Sequence, residues 1–90
     1  MAFVKETIGS EEWTLIASDV FEITFQNIGQ HPLYLNFSTS ATPPSEEHGL
    51  VYNTWNGELK TPLDELTKLS GASHVFLKAI TNSTSVIYEE

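Results

Sequence analysis

Glu46, Glu47 and His48 stand side by side, and two carboxylates next to an imidazole are donor types that hold a divalent cation or share a proton. A cation site needs further donors at ligand spacing, and no second cluster follows. The run therefore reads as a solvated acidic loop. Asp64 and Glu65 make another acidic pair, but they follow Thr61-Pro62, where acids complement the dipole of a helical first turn. His31 precedes Pro32 as a loop residue, and His74 opens a run of strand character. Neither has a Ser or Asp neighbour in a nucleophile arrangement. No glycine-rich phosphate loop, G-x-S-x-G or H-E-x-x-H occurs. The expectation is a chain that is not an enzyme and takes neither metal nor cofactor.

Recognition then falls to aromatic side chains and one loop. Tyr34 lies on the polar face of an alternating run, and Trp55 precedes the turn dipeptide Asn56-Gly57, so both are candidates to stack on a sugar or on a neighbouring subunit. Trp55 divides evenly between partner contact and the chain's own core, whereas Trp13 is assigned to the core. Ser38 to Gly49 holds Pro43, Pro44 and the adjacent acids Glu46 and Glu47, a composition that sustains neither a central strand nor a packed helix. A loop of this length invites a role, and Ala41 to Gly49 is expected to be an exposed contact arm stiffened by its prolines. Tyr34, Pro43, Pro44, Glu46, Glu47 and Trp55 are the candidate interaction residues.

The elements that must position these residues are mostly strands. From Val20 to Gln26 the chain alternates, with Phe21, Ile23 and Phe25 on one face and Glu22, Thr24 and Gln26 on the other. Alternation returns as Leu33, Leu35 and Phe37 against Tyr34, Asn36 and Ser38. The two runs predict a hairpin, with Gly29 free to take positive φ between them, and the six apolar residues predict the core. Shorter strands are expected over Phe3 to Ile8, Trp13 to Ala17 and Leu50 to Tyr52. A closing hairpin is expected from His74 to Ile80 and Ser85 to Tyr88. Thr61-Pro62-Leu63-Asp64-Glu65 supplies a cap residue, a first-turn proline and acids, which predicts one or two helical turns within Thr61 to Leu69. The fold class is all-β: about seven short antiparallel strands in one small sandwich or barrel with one helical turn.

Ninety residues make a single domain, residues 1–90, and 40% hydrophobic with 11% aromatic residues is enough apolar material to exclude disorder. Four lysines, no arginine and a net charge of −8 cannot neutralise phosphates in the number a nucleic-acid site requires. No apolar run approaches the roughly 20 residues that span a bilayer, and no signal peptide is expected from the first residues. Asn36-Phe37-Ser38 and Asn82-Ser83-Thr84 fit the glycosylation pattern, which is read as chance. With no cysteine there are no disulfides, and a domain this small holds a thin stability margin that association would widen.

A strand ending Phe25-Gln26-Asn27, a Gly29 turn, a strand ending Ser38-Thr39-Ser40, prolines at 43 and 44, and Gly49 before an apolar strand resemble small all-β accessory proteins of tailed-phage particles. Val75-Phe76-Leu77-Lys78-Ala79, a polar turn and Val86-Ile87-Tyr88 are similar to the closing hairpin of such proteins. The resemblance covers about two-thirds of the chain, and the stretch Glu58 to Gly71 departs from it. It implies a non-enzymatic virion component, in capsid decoration or the head and tail apparatus. Such a component is made in the host cytoplasm, binds other virion proteins and self-associates, with a trimer as the first expectation. A carbohydrate-binding module and an acidic adaptor or inhibitor of a host protein are the alternatives.

Overall fold

The computed structural model describes residues Phe3 to Glu89. They form eight strands: β1 (Phe3–Ile8), β2 (Thr14–Ala17), β3 (Glu22–Asn27), β4 (Leu33–Ser38), β5 (Leu50–Tyr52), β6 (Gly57–Pro62), β7 (His74–Ala79) and β8 (Thr84–Glu89). One sheet has the order β1-β8-β3-β6 and the other β2-β7-β4-β5, with every pairing antiparallel. β1 pairs with β8, β2 with β7, β3 with β6 and β4 with β5, so the chain doubles back on itself as one long ribbon and then rolls into two layers. That is the topology of an eight-stranded jelly roll, one of the all-β architectures that limit exposed edges.

The all-β class is therefore correct, while the expected local pairings are not. β3 and β4 lie in different sheets, as do β7 and β8, so neither predicted hairpin forms. Short connections here carry the chain across the roughly 10 Å between sheets rather than turning it back within one. The strand missing from the sequence reading is β6, whose pairing with β3 shifts register between Ile23 and Phe25. That irregularity breaks the period-two signal. The predicted helix shrinks to a single 3₁₀ turn, Leu63–Glu65. Thr61 does not cap it, because its hydroxyl donates to Glu58 Oε1 at 2.8 Å and Pro62 stays extended at φ −60° and ψ 140°.

Inward residues of both sheets make one core that includes Ile23, Phe25, Leu33, Leu35, Phe37, Val75, Leu77 and Val86. Phe21 does not join it and is 79% exposed. It precedes the first residue of β3, beyond the last rung of the pairing with β6, where Glu22 meets Pro62. Asp19, at φ 54°, turns the chain just before it. Trp13 also lies outside this core.

The inward alternation of β3 does not stop at Phe25 but continues to Asn27, which is fully buried. Its Nδ2 donates to His31 O at 2.8 Å and Tyr52 O at 3.1 Å, while its Oδ1 accepts from Gly29 N at 3.1 Å and Thr84 Oγ1 at 2.9 Å. All four hydrogen-bonding positions of the amide are used. Gly29 sits beside Thr84, so close that an added Cβ would lie 2.0 Å from Thr84 Oγ1. Close approach, rather than positive φ, is why glycine is needed there.

Two stability predictions follow from this packing. Phe25→Ala should lower the unfolding free energy by about 3–5 kcal/mol, the range for emptying a packed aromatic site, while Phe21→Ala should change it by no more than about 0.5 kcal/mol. Asn27→Ala strands four partners, two of them buried and two part-buried, and should lower it by about 3 kcal/mol or more. Urea denaturation of the three variants beside the parent checks both.

Candidate interaction surface

The loop between β4 and β5 is the tip of the rolled ribbon, and it is tied down rather than free. Trp13 Nε1 donates to Glu46 O at 3.0 Å, Asn36 Nδ2 donates to His48 O at 2.9 Å, and the His48 ring meets Tyr34 edge to face at 5.5 Å. Lys78 Nζ stands 5.2 Å from the centre of the Trp13 ring on the same side. These contacts draw the loop over the outer face of β2-β7-β4-β5. Phe76 alternates outward on β7, between Leu15 and Asn36 in the register, yet it is only 1% exposed. Phe76 is thus buried on the outer side of its sheet, apart from the core between the sheets. The sequence holds a trace of it: Val75, Phe76 and Leu77 are apolar in succession, and an unbroken apolar run marks a strand covered on both faces.

The six candidate residues do not make one site. Tyr34, Pro43, Pro44, Glu46 and Glu47 belong to the loop-covered side of the β2-β7-β4-β5 sheet, where Tyr34 and Pro44 are half-buried and Pro43, Glu46 and Glu47 are exposed. Trp55 lies on the other sheet. There it is 68% exposed and borders a shallow groove of about 330 Å³. Ile87 and the stems of Thr24 and Gln26 line this groove together with Leu59, 77% exposed, and Phe3, 60% exposed. Leu59 and Phe3 were not singled out from the sequence. Leu59 sits in the register shift of β6, and Phe3 sits on a strand whose partner, β8, is remote in the chain.

Trp55 is held where it is by backbone. Asn56 N donates to Asn53 O at 3.0 Å, closing a β-turn in which Trp55 takes the third position with φ 73°. That position ordinarily belongs to glycine or asparagine, because a Cβ crowds the following carbonyl in the left-handed region. Trp55 N donates to Asn27 O at 2.6 Å, and Gln26 Nε2 donates to Trp55 O at 2.9 Å, so the turn is anchored to β3 from both sides.

The acid beneath the groove is engaged. Glu58 Oε2 accepts from Tyr52 Oη at 2.9 Å and Oε1 accepts from Thr61 Oγ1. Burial, reinforced by the hydrogen bond and the charge of Glu58, pushes the Tyr52 phenol well above its ordinary range and keeps its proton in place. Among the described residues, no group of three or more His, Asp or Glu side chains could hold a metal ion. Comparison with protein-family models, curated proteins and solved structures finds no match.

Removal of Pro43 to Glu47 takes away the acceptor of Trp13 and is expected to open Phe76 to solvent. The variant should keep the jelly roll, since the inner core is untouched, but lose about 2–3 kcal/mol, the scale of exposing one large apolar side chain. Thermal unfolding and binding of a hydrophobic dye test this. Parent-like stability would mean the loop is a free arm after all.

Proposed function

We propose that this protein is a non-enzymatic assembly module that works by docking the outer face of β1-β8-β3-β6. The observation that carries the reading is the grouping of Phe3, Trp55 and Leu59, three large apolar side chains that each keep most of their surface in water, around one groove. Together they present on the order of 400 Å² of apolar surface, taking roughly 150–250 Å² for each whole side chain. A contiguous patch of that size on a small domain is often a binding site. The polar groups nearby, the buried Asn27 and the half-buried Glu58, have hydrogen bonds supplied by this chain. That favours contact over chemistry.

The setting that suits such a module is a virion, as the resemblance to tailed-phage accessory proteins suggests, with the protein bound to other particle proteins and to itself. The jelly roll is compatible with that setting but does not argue for it, since capsid proteins and lectins share the fold. A second reading is supported by Trp55 standing beside Gln26 and Thr24: an exposed indole next to amide and hydroxyl groups could stack a sugar ring.

Replacing Leu59 by Ser should abolish association with a capsid or tail shell, and with other copies of the chain, while leaving thermal stability within about 0.5 kcal/mol of the parent. Pelleting with purified phage shells and sedimentation of the free protein provide the readouts. Binding unchanged by Leu59→Ser would overturn the docking face. Quenching of tryptophan emission by a panel of oligosaccharides, absent in Trp55→Ala, would move the sugar reading ahead.

A further inference from the structure

The turn at Trp55 places the largest side chain in the one position of the turn where glycine would relieve the backbone. A bulky residue with φ near 73° is an outlier that the surrounding contacts must impose, and here three backbone-linked hydrogen bonds impose it. The side chain gains little from the fold in return, since most of it is in water. This arrangement presents an indole at a fixed height beside the groove, with its backbone already ordered, so little further freedom is lost when it is buried by something else.

We propose that the occupant is a second copy of this chain, joined about a two-fold axis so that Trp55 of each copy seats in the groove of the other. The inference rests on the docking face proposed above. The same face carries both a projection, Trp55 with Leu59, and a recess between that ridge and Phe3, floored by Ile87. A patch that contains knob and hole together is self-complementary, which is the requirement for an isologous contact that closes at two copies. A trimer of knob-to-groove contacts would need the two features on different faces.

Charge selects the same face. The chain carries −8 overall, and exposed acids such as Glu11, Glu12, Glu46, Glu47, Asp64 and Glu65 fall in its loops and its 3₁₀ turn. On the β1-β8-β3-β6 face, Lys5 and the exposed Lys60 stand against Glu22, Glu89 and the half-buried, groove-lining Glu58, so this face carries little of the chain's excess negative charge. Two copies approaching there meet less like-charge repulsion than an approach through the acidic loops would bring. The area sets the strength. Roughly 400 Å² from each copy is short of the ~800 Å² per partner of a standard interface, so the dimer should be weak, with Kd on the order of 100 µM.

Sedimentation velocity of the whole chain across about 10–500 µM, a range that brackets this Kd, should show a rise from monomer to dimer. Trp55→Gly tests the cause. Glycine fits the left-handed position, so the variant should unfold at the same or a higher temperature than the parent in dilute solution, where both are monomeric. It should also remain monomeric at least ten-fold beyond the parent's dimerisation midpoint. A parent that stays monomeric throughout, or a trimer, overturns the two-fold contact. A Trp55→Gly variant that dimerises like the parent overturns it as well. The docking face survives any of these results if Leu59→Ser still abolishes shell binding. A lower melting temperature for Trp55→Gly would make Trp55 a structural residue and overturn the premise that the turn is kept for contact.

Discussion

The Asn27 amide is the interaction on which most of the molecule depends. Its four hydrogen bonds reach the 28–32 connection, the end of β5 and the start of β8, and its backbone carbonyl fixes the Trp55 turn. A single side chain thereby ties both sheets together at one end of the sandwich, where a rolled ribbon would otherwise splay. Burying an amide is unfavourable unless each polar atom is matched, and a fully matched one specifies a unique arrangement because any slip leaves several groups unpaired at once. The close approach of Gly29 to Thr84 belongs to the same knot. The knot and the groove are also linked, since the turn that presents Trp55 is anchored to the residue that locks the sheets.

Alternation was the most legible property of the sequence. It placed Ile23, Phe25, Leu33, Leu35 and Phe37 inside, and all five are in the core. Where it stopped being informative, the physical reasons differ from element to element. Asn27 occupies the next inward position after Phe25, where its polarity hides it among core residues, yet a fully hydrogen-bonded polar group continues the inward alternation. Phe21 has the right parity but lies past the last rung of its sheet. β6 is irregular at Leu59 and Lys60 and ends on Pro62, so it shows no period. Thr61 has the chemistry of a helix cap, yet the carboxylate of Glu58, three residues earlier on the same strand, competes for its hydroxyl and wins.

The candidate surface was legible in one residue only. The sequence marks Trp55 beside a turn while leaving it divided between partner contact and core, and its companions, Phe3 and Leu59, come from β1 and β6, the two outermost strands of their sheet. Strand partnership in a jelly roll is set by the roll as a whole, so no local window of sequence contains it. The loop at the ribbon tip is exposed over most of its length, as its composition signals, and what the sequence does not show is its contacts with Trp13, Asn36 and Tyr34. Proline and acid content describe how a loop behaves in water, not whether a neighbouring strand offers it an indole N–H.

The nested pairing of strands has a consequence during synthesis. β4 and β5 are the innermost pair and the first that a growing chain can bring together, while β1 has no partner until β8 has been made. While the ribosome is adding the residues in between, Phe3 to Ile8 is an open strand with its backbone donors and acceptors unmatched, the kind of segment that pairs with whatever edge is near. The order of translation thus runs against the order of assembly. Lys5, at the middle of that waiting strand, puts a charge where an intruding edge would have to settle.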